Sequence, residues 1–412
     1  MSIVEQEVVE TVINKEQFIH VPYGKAVWGE AEKKAVMHVL DTSTQMGKHV
    51  YEMEEKVAAL FAKKSGVMVN SGSSANYLAI EILDLPKGSE VITPVLTFST
   101  TIAPLVRNGL VPVFIDVEPN TFNIDADQIE SMITDKTRAM MIPNLLGNLP
   151  DWRKIRKLAD KYNLILIEDS ADTLGATIDN ETAGRFVDMS TTSFYGSHVV
   201  TCGGNGGMLC MNDEKLLNRA KLLRSWGRSS SLFVESEAIE NRFNVDVEGI
   251  RYDAKFIFEA LGYNLEANEM CAAFGLVQLA DLQKNIDTRV KWFNAQKAFF
   301  KQYEQWFILP HQLEGSRTGW LACPLIVKDD APFTRTQLQI FLENRNIQTR
   351  TVFTGNILRQ PGFKNIECKK VAEYPNADRV MRGGILFACH HGLTQEMFDH
   401  VHASVKIFLD QF

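Results

Sequence analysis

Two ionisable side chains follow short apolar segments of this 412-residue chain. Asp169 comes shortly after residues 163–167, and His198 comes shortly after residues 190–194. A histidine exchanges protons near neutral pH, and a carboxylate at the end of a buried strand can keep a cofactor's ring nitrogen protonated. Other interpretations stay open, because His198 is also compatible with a core histidine and Asp169 with a helix cap or a metal ligand.

A turn of small residues, NSGSSAN at 70–76, follows the apolar segment 66–69 and leads into a helical pattern. Backbone N–H groups at such a helix start can bind a phosphate, although serine and asparagine also serve as ordinary N-caps. Several isolated residues have a binding and a packing interpretation. Arg350 and Arg359 suit a nucleotide diphosphate or surface ion pairs, and the aromatic and imidazole side chains suit the pocket or the core: Tyr195, His20, His390 and His391.

The elements that must position these groups alternate between strands and helices. Seven short segments have strand length, and most of them are unbroken apolar runs, typical of strands buried on both faces: 66–69, 90–93, 111–115, 138–142, 163–167, 190–194 and 207–211. Helical patterns such as 75–83 and 151–162 lie between them, which predicts a doubly wound α/β domain with a mostly parallel sheet. From about residue 267 a long helical pattern runs to about residue 306 and begins a smaller α+β region.

Composition excludes several classes of function. The formal net charge is −8 and the basic residues are scattered, so we expect no nucleic-acid partner. No window approaches the roughly 18 apolar residues of a membrane span, and residues 1–14 are acidic without an apolar core, so we expect a cytoplasmic protein with no membrane partner. The six cysteines are dispersed, which predicts neither disulfides nor a metal site.

Seven motifs in order identify the chain as similar to the DegT/DnrJ/EryC1/StrS sugar aminotransferase family: NSGSSAN (70–76), TPVLTFSTT (93–101), PVFIDVEPNTFNID (112–125), NLLGN (144–148), LIEDSADTLGA (166–176), SFYGSH (193–198) and GYNLEANEMCAAFGLVQL (262–279). The resemblance implies the aspartate-aminotransferase fold (fold type I). The change of pattern near residue 267 predicts an N-terminal segment and large cofactor-binding domain over 1–266 and a small C-terminal domain over 267–412. The resemblance also implies pyridoxal or pyridoxamine 5′-phosphate as cofactor. The implied cofactor-binding residues are Gly72, Ser73, Phe98, Asp169 and Ser193, and Asn264 would reach in from the second subunit of a homodimer.

One departure from the family pattern narrows the expected activity. Typical members carry at position 198 a lysine that holds the cofactor as a Schiff base, but this chain has His198 there and no lysine between Lys161 and Lys215. Tyr195, and Asp172 where aminotransferases usually carry glutamine, also resemble the histidine-containing subset. That subset consists of 3-dehydratases acting on GDP- or CDP-linked 4-keto-6-deoxyhexoses. We therefore expect His198, Asp169, Tyr195 and Asp172 to be the catalytic residues.

An iron–sulfur cluster is not expected, although two segments look most like the iron–sulfur branch of that subset: 354–363 and 262–279. Residues 225–270 contain no cysteine, and Ala171 stands where relatives often have one. Such clusters are held by clustered thiolates. The aminated cofactor would then be regenerated with an amino group from L-glutamate, and no electrons from a reductase would be needed.

The expected function is pyridoxamine-phosphate-dependent C3 dehydration of a nucleotide-linked 4-keto-6-deoxyhexose in deoxysugar or lipopolysaccharide biosynthesis. Two alternatives stay open. One is a sugar-nucleotide 4-aminotransferase that tolerates histidine, and the other is a catalytically silent binding protein of the same fold.

Overall fold

The computed structural model describes residues 15–233 and 238–412, so the prediction made for residues 1–14 lies outside the described residues. The strands are β1 (Ser65–Val69), β2 (Glu90–Pro94), β3 (Val111–Ile115), β4 (Thr137–Pro143), β5 (Ile165–Ser170), β6 (Thr177–Ile178), β7 (Glu181–Thr182), β8 (Met189–Ser193), β9 (Gly207–Met211), β10 (Val245–Val247), β11 (Ile250–Tyr252), β12 (Phe307–Ile308), β13 (Ser316–Arg317), β14 (Cys323–Val327) and β15 (Gly384–Phe387). The α-helices are α1 (Glu30–Leu40), α2 (Lys48–Leu60), α3 (Gly72–Glu81), α4 (Ser99–Arg107), α5 (Ile129–Met132), α6 (Trp152–Tyr162), α7 (Glu214–Arg224), α8 (Ile239–Arg242), α9 (Glu269–Ala280), α10 (Leu282–Lys301), α11 (Arg335–Asn344), α12 (Pro375–Gly383) and α13 (Gln395–Leu409).

The central element is a seven-stranded sheet in the order β1-β9-β8-β5-β4-β2-β3. Strand β9 pairs antiparallel with β1 and β8, and the other neighbours pair in parallel. Each of the seven predicted apolar segments contributes one of its strands. Both faces of the sheet are covered, since the successive residues Val91 and Ile92 of β2 belong to different hydrophobic cores. Burial on both faces explains the continuous apolar runs, and the predicted mostly parallel sheet is confirmed.

Strand β5 differs in its ends from the prediction of 163–167. Asn163 adopts a left-handed conformation (φ 52°) as the C-cap of α6, so the chain turns there before the strand begins. The strand continues through Glu168, Asp169 and Ser170, because these residues pair with β4 and β8. Asp169 therefore lies inside a central strand rather than after it, which fixes its backbone on both sides.

The C-terminal part of the chain contains a three-stranded sheet in the order β12-β14-β15, with α11, α12 and α13. The predicted long helical pattern over 267–306 is two helices, α9 and α10, that meet at Asp281, and it ends at Lys301. The division into domains at 266/267 stays a prediction.

The longest described helix, α10, is amphipathic. Its buried face carries Trp292, Phe293 and Phe300, which pack into the core, whereas charged side chains occupy much of the remainder. In the described part of the chain, no helix is both long and apolar enough to cross a membrane.

Candidate active site

A cavity of about 660 Å³ opens at the carboxyl ends of the central strands. Loops after β1, β2, β4, β5 and β8 line it, as expected for an open α/β sheet. All but one of the predicted site residues line this cavity: Gly72, Ser73, Phe98, Asp169, Asp172, Ser193, Tyr195 and His198. The sequence motifs, up to 126 positions apart from Gly72 to His198, are thus brought together at one place.

The start of α3 forms one wall of the cavity. The Ser71 hydroxyl caps the helix by accepting from the Ser74 N–H (3.1 Å), whereas the N–H groups of Gly72 and Ser73 belong to the first turn and have no intrahelical acceptor. A Cβ at Gly72 would lie 2.5 Å from the Cβ of Ser193, so the close approach of α3 to β8 requires glycine. Free N–H groups at a helix N-terminus beside a serine hydroxyl suit a phosphate.

Asp169 lies at the base of the cavity and is almost completely buried. One carboxylate oxygen, Oδ2, accepts from Thr101 Oγ1 (2.7 Å) and Asn76 Nδ2 (2.8 Å), and Oδ1 accepts from the Ala171 N–H (3.2 Å). Burial raises the pKa of Asp169, and these hydrogen bonds oppose the rise by stabilising the anion. Asp169 forms no ion pair with any described residue, so its carboxylate fits a cationic ligand such as a protonated ring nitrogen.

His198 presents one nitrogen to the cavity. Its Nδ1 lies 3.0 Å from the carbonyl oxygen of Ser193, an acceptor only, so Nδ1 carries the proton and Nε2 has a free lone pair. Burial lowers the pKa of His198 to about 4, and the positive charge of Arg289 acts in the same direction. His198 is therefore neutral at physiological pH, in the state that accepts a proton.

Asp172 lies next to His198 in the lining of the cavity. Its Oδ2 accepts from the Leu146 N–H (2.9 Å), and its Oδ1 lies 3.8 Å from His198 Nε2. Burial, together with the nearby negative charge of Asp169, raises the pKa of Asp172 to about 7. The carboxyl group therefore exchanges a proton near neutral pH, close to the lone pair of His198.

Two aromatic side chains complete the site. Phe98 is 50% exposed and packs edge-on against Phe353, with ring centroids 5.9 Å apart. Tyr195 is 57% exposed, and its ring meets that of His198 at 67°. Both rings border the cavity with free surface, so each can contact a ligand, and the pure packing interpretation of Tyr195 does not describe its position.

Asn264 does not line the cavity. It is exposed, and its backbone oxygen accepts a hydrogen bond from Asn70 Nδ2 (3.5 Å). The resemblance assigns this residue to the site of a second subunit, and that role stays a prediction.

The isolated candidates divide between cavity and scaffold. Arg350 lines the cavity, with its guanidinium 5.5 Å from the ring centroid of Tyr23, whereas Arg359 is exposed and pairs with Asp378. The three histidines lie outside the cavity lining: His390 contacts the Pro22 carbonyl, His391 contacts Arg289, and His20 contacts Asn346.

Sequence reasoning missed four residues of the site: Asn76, Thr101, Tyr23 and Arg289. The first two lie inside motifs that the sequence analysis recognised, so their positions gave a usable signal. Tyr23 and Arg289 lie outside the seven motifs, and only the tertiary structure brings them to the site.

Within the described residues, no group of three or more histidine, cysteine, aspartate or glutamate side chains could hold a metal ion. The six cysteines are free, and four of them are buried.

Comparison with known proteins matches residues 27–406 to the DegT/DnrJ/EryC1/StrS aminotransferase family. The chain belongs to this family. A member from Salmonella typhimurium, the lipopolysaccharide biosynthesis protein RfbH, is 35% identical over 398 residues, which cover 94% of this chain and 91% of RfbH. The GDP-4-keto-6-deoxy-D-mannose 3-dehydratase of Escherichia coli O55:H7 is 33% identical over 397 residues, covering 93% of this chain and 98% of the relative.

A solved structure of a GDP-4-keto-6-deoxymannose 3-dehydratase with a trapped PLP–glutamate geminal diamine is also similar. It superimposes with a TM-score of 0.82 at 29% identity and covers 93% of this chain and 99% of that chain. The predicted family and fold type are thereby confirmed. This chain is therefore an enzyme of a PLP-dependent, sugar-modifying family.

Proposed function

We propose that this protein catalyses the pyridoxamine-phosphate-dependent C3 dehydration of a nucleotide-linked 4-keto-6-deoxyhexose. The observation that carries the proposal is the kind of base in the cavity. His198 presents an unprotonated Nε2, and none of the described lining residues is a lysine. Imidazole moves protons but forms no stable imine with an aldehyde, so the cofactor is held without a covalent bond and exchanges freely.

The cavity fits the phosphorylated pyridine cofactor in three places. The N–H groups of Gly72 and Ser73 and the Ser193 hydroxyl would hold the phosphate, Phe98 would stack on the ring, and Asp169 would pair with the protonated ring nitrogen. When bound, the aminated cofactor would supply an amino group for the C4 ketone and a ring that accepts electrons. Thr101 and Asn76 keep the Asp169 carboxylate oriented and ionised for that contact.

His198 acts as the general base of the proposed reaction. Its Nδ1–H is fixed on the Ser193 carbonyl, so proton uptake occurs at Nε2. Such a base typically contributes about 10²- to 10⁴-fold to the rate. A lysine amine at this position would deliver a proton to sugar C4 and yield an amino sugar, whereas its absence leaves elimination of the C3 hydroxyl as the favoured outcome.

Asp172 supports proton traffic at the same place. The C3 hydroxyl leaves as water and needs one proton, which His198 receives earlier as a base and returns directly or through Asp172 Oδ1, 3.8 Å away. A carboxyl group with a pKa near 7 is suited to both directions of transfer. Tyr195 lines the cavity beside the imidazole ring.

A second candidate is supported by the family itself, which is described as an aminotransferase family. A 4-aminotransferase would retain the cofactor nitrogen in the sugar product. A silent binding protein, the third possibility, would bind cofactor and turn nothing over. The paired Asp172 and His198 argue against silence, because a carboxyl group titrating beside an unprotonated imidazole serves acid–base chemistry.

Glutamate, the nucleotide sugar and a second subunit are the proposed partners. The glutamate adduct is known for the 3-dehydratase structure described above, and the GDP-linked substrate for the 3-dehydratase relative; CDP is an equally open nucleotide here. A homodimer is supported by exposed apolar side chains in the segment that leads to Asn264: Ile250, Phe256, Phe258, Leu261 and Tyr263. A cytoplasmic location stays a prediction from sequence.

The decisive experiment incubates the protein with pyridoxamine phosphate, glutamate and a panel of GDP- and CDP-linked 4-keto-6-deoxyhexoses, and identifies the products by mass spectrometry. The proposal expects a 3-deoxy-4-keto sugar that has lost one oxygen. A stable 4-amino sugar would establish the aminotransferase instead, and cofactor binding without product from any substrate would support a silent protein. Sedimentation velocity of the same sample checks the homodimer, for which a monomer at micromolar concentration is the contrary result.

A further inference from the structure

A buried arginine lies directly behind the candidate active site. Arg289, in α10, is 0% exposed. Its guanidinium forms no ion pair with any described residue, and it donates instead to neutral acceptors. These are the carbonyls of Ser197 (Nη2, 2.8 Å), Trp320 (Nη1, 3.1 Å) and Leu321 (Nη1, 3.3 Å), and His391 Nδ1 (Nε, 3.2 Å).

The location is unusual because an unpaired buried charge is unfavourable unless hydrogen bonds and nearby charges compensate it. Arginine stays protonated in proteins, so the site behind His198 carries a permanent positive charge. A side chain that only links three carbonyl groups needs hydrogen-bond donors, but those donors need not carry a positive charge. The charge itself therefore calls for an explanation.

We propose that Arg289 is a positioning residue for the proposed reaction: its fork fixes the backbone next to His198, and its charge keeps the proton off His198 and favours the anionic form of Asp172. The role of Arg289 in catalysis rests on the proposed function. The effect of its charge on the protonation of His198 and Asp172 does not depend on which reaction the protein catalyses.

The hydrogen bonds connect Arg289 to both groups. On one side it holds the Ser197 carbonyl, the peptide that leads into His198. On the other it holds the Leu321 carbonyl; the Leu321 N–H donates to the Leu146 carbonyl (2.8 Å), and the Leu146 N–H donates to Asp172 Oδ2 (2.9 Å). The guanidinium thus spans the two cavity walls that carry the base and its neighbouring acid.

The charge shifts the pKa of the two groups in the same direction. A fixed cation disfavours imidazolium and favours carboxylate, so Arg289 lowers the pKa of both His198 and Asp172. Other titratable groups face this region and are included in the expectation: Asp169, Tyr23, Tyr195, Cys389, His390 and His391. Burial also lowers the pKa of His390 and His391, so these histidines add no positive charge at neutral pH.

The test follows the titration of His198 by NMR in histidine-labelled, cofactor-free protein, with His198→Asn identifying the signal. In Arg289→Gln, which keeps donors and loses the charge, we expect the His198 titration to move to higher pH by about one unit. Lys291→Met, which removes an exposed positive charge from the same helix, is the matched control and should leave the titration unchanged. A titration that stays at its wild-type position in a folded Arg289→Gln protein overturns the electrostatic role.

A second variant covers the case in which Arg289→Gln does not fold. Arg289→Lys keeps a positive charge but cannot present a planar fork to three carbonyls. We expect its kcat to fall about tenfold with an unchanged KM for the sugar nucleotide, while the His198 titration stays near wild type. Wild-type kcat in this variant contradicts the positioning role. Because the NMR titration needs no substrate, a failed dehydratase assay and a failed Arg289 proposal give different results.

Discussion

Replacement of Asp172 by asparagine is expected to make the protein more stable and less active. Asp172 is mostly buried near Asp169, and burial together with that negative charge raises its pKa from the ordinary aspartate value of 3.8 to about 7 in the folded protein. The folded protein therefore binds this proton more tightly than the unfolded chain does. Protonation of Asp172 therefore contributes to the free energy of unfolding. This contribution is complete below about pH 4 and is lost as the pH rises through 7.

The magnitude follows from that rise in pKa. A difference of about three pKa units, at about 1.4 kcal/mol each, sets an upper limit of about 4 kcal/mol for the unfavourable contribution of ionised Asp172 at pH 8. Asparagine carries no charge, has nearly the same shape, and keeps an oxygen acceptor for the Leu146 N–H. We expect a gain of about 2 kcal/mol in the free energy of unfolding at pH 8, because local relaxation reduces the limit.

The assay compares urea unfolding of cofactor-free wild type and Asp172→Asn at pH 5 and pH 8. The stabilisation should be about half as large or less at pH 5 as at pH 8, because at pH 5 the folded protein keeps Asp172 protonated and only ionisation of this carboxyl in the unfolded chain still disfavours folding. Asp330→Asn, at an exposed aspartate, is the control and should show no such pH dependence. A destabilisation of equal size at both pH values would refute the reasoning, since it would mean that Asp172 is not a buried acid with a raised pKa.

Three further predictions concern the cofactor and the base. Dialysis should remove the cofactor, and borohydride treatment of the PLP-loaded protein should leave no covalent label, because the described cavity lining contains no lysine; a labelled lysine found by peptide mapping would contradict this. His198→Asn should retain cofactor and sugar binding while kcat falls about 10²- to 10⁴-fold, because an amide is not a base near neutral pH, and near wild-type turnover would remove His198 from the mechanism. Protein purified without oxygen should contain no stoichiometric iron by elemental analysis and should turn over with glutamate alone, whereas strict dependence on an added electron donor would place the chain in the redox branch.

Much of the fold was predictable because its determinants are local. Strands buried on both faces leave apolar runs, and α3 begins where Ser71 caps it, so the alternation of elements is visible in the sequence. The end of β5 was less visible, since Glu168, Asp169 and Ser170 are polar and remain in the strand only because neighbouring strands pair with them. The break between α9 and α10 at Asp281 was missed for the opposite reason, because the helical pattern continues on both sides of it.

The site was predictable where motif and chemistry coincide and unpredictable where it depends on distant contacts. Asp169 and His198 stood out by residue type and position. The pairing of Asp172 with the Leu146 N–H depends on the backbone of another loop, and the approach of Arg289 to Ser197 depends on where the tertiary fold places α10. Such contacts join residues about 26 and 92 positions apart, and no local pattern encodes them.

The central claim is that elimination, with His198 as base, replaces amino transfer. A single turnover tests it directly: protein loaded with pyridoxamine phosphate is mixed with the accepted sugar nucleotide, without glutamate, and free ammonia and sugar product are measured together. We expect ammonia and 3-deoxy-4-keto sugar in equal amounts, with both lost in His198→Asn. Nitrogen retained in a 4-amino sugar, with no ammonia released, would contradict it.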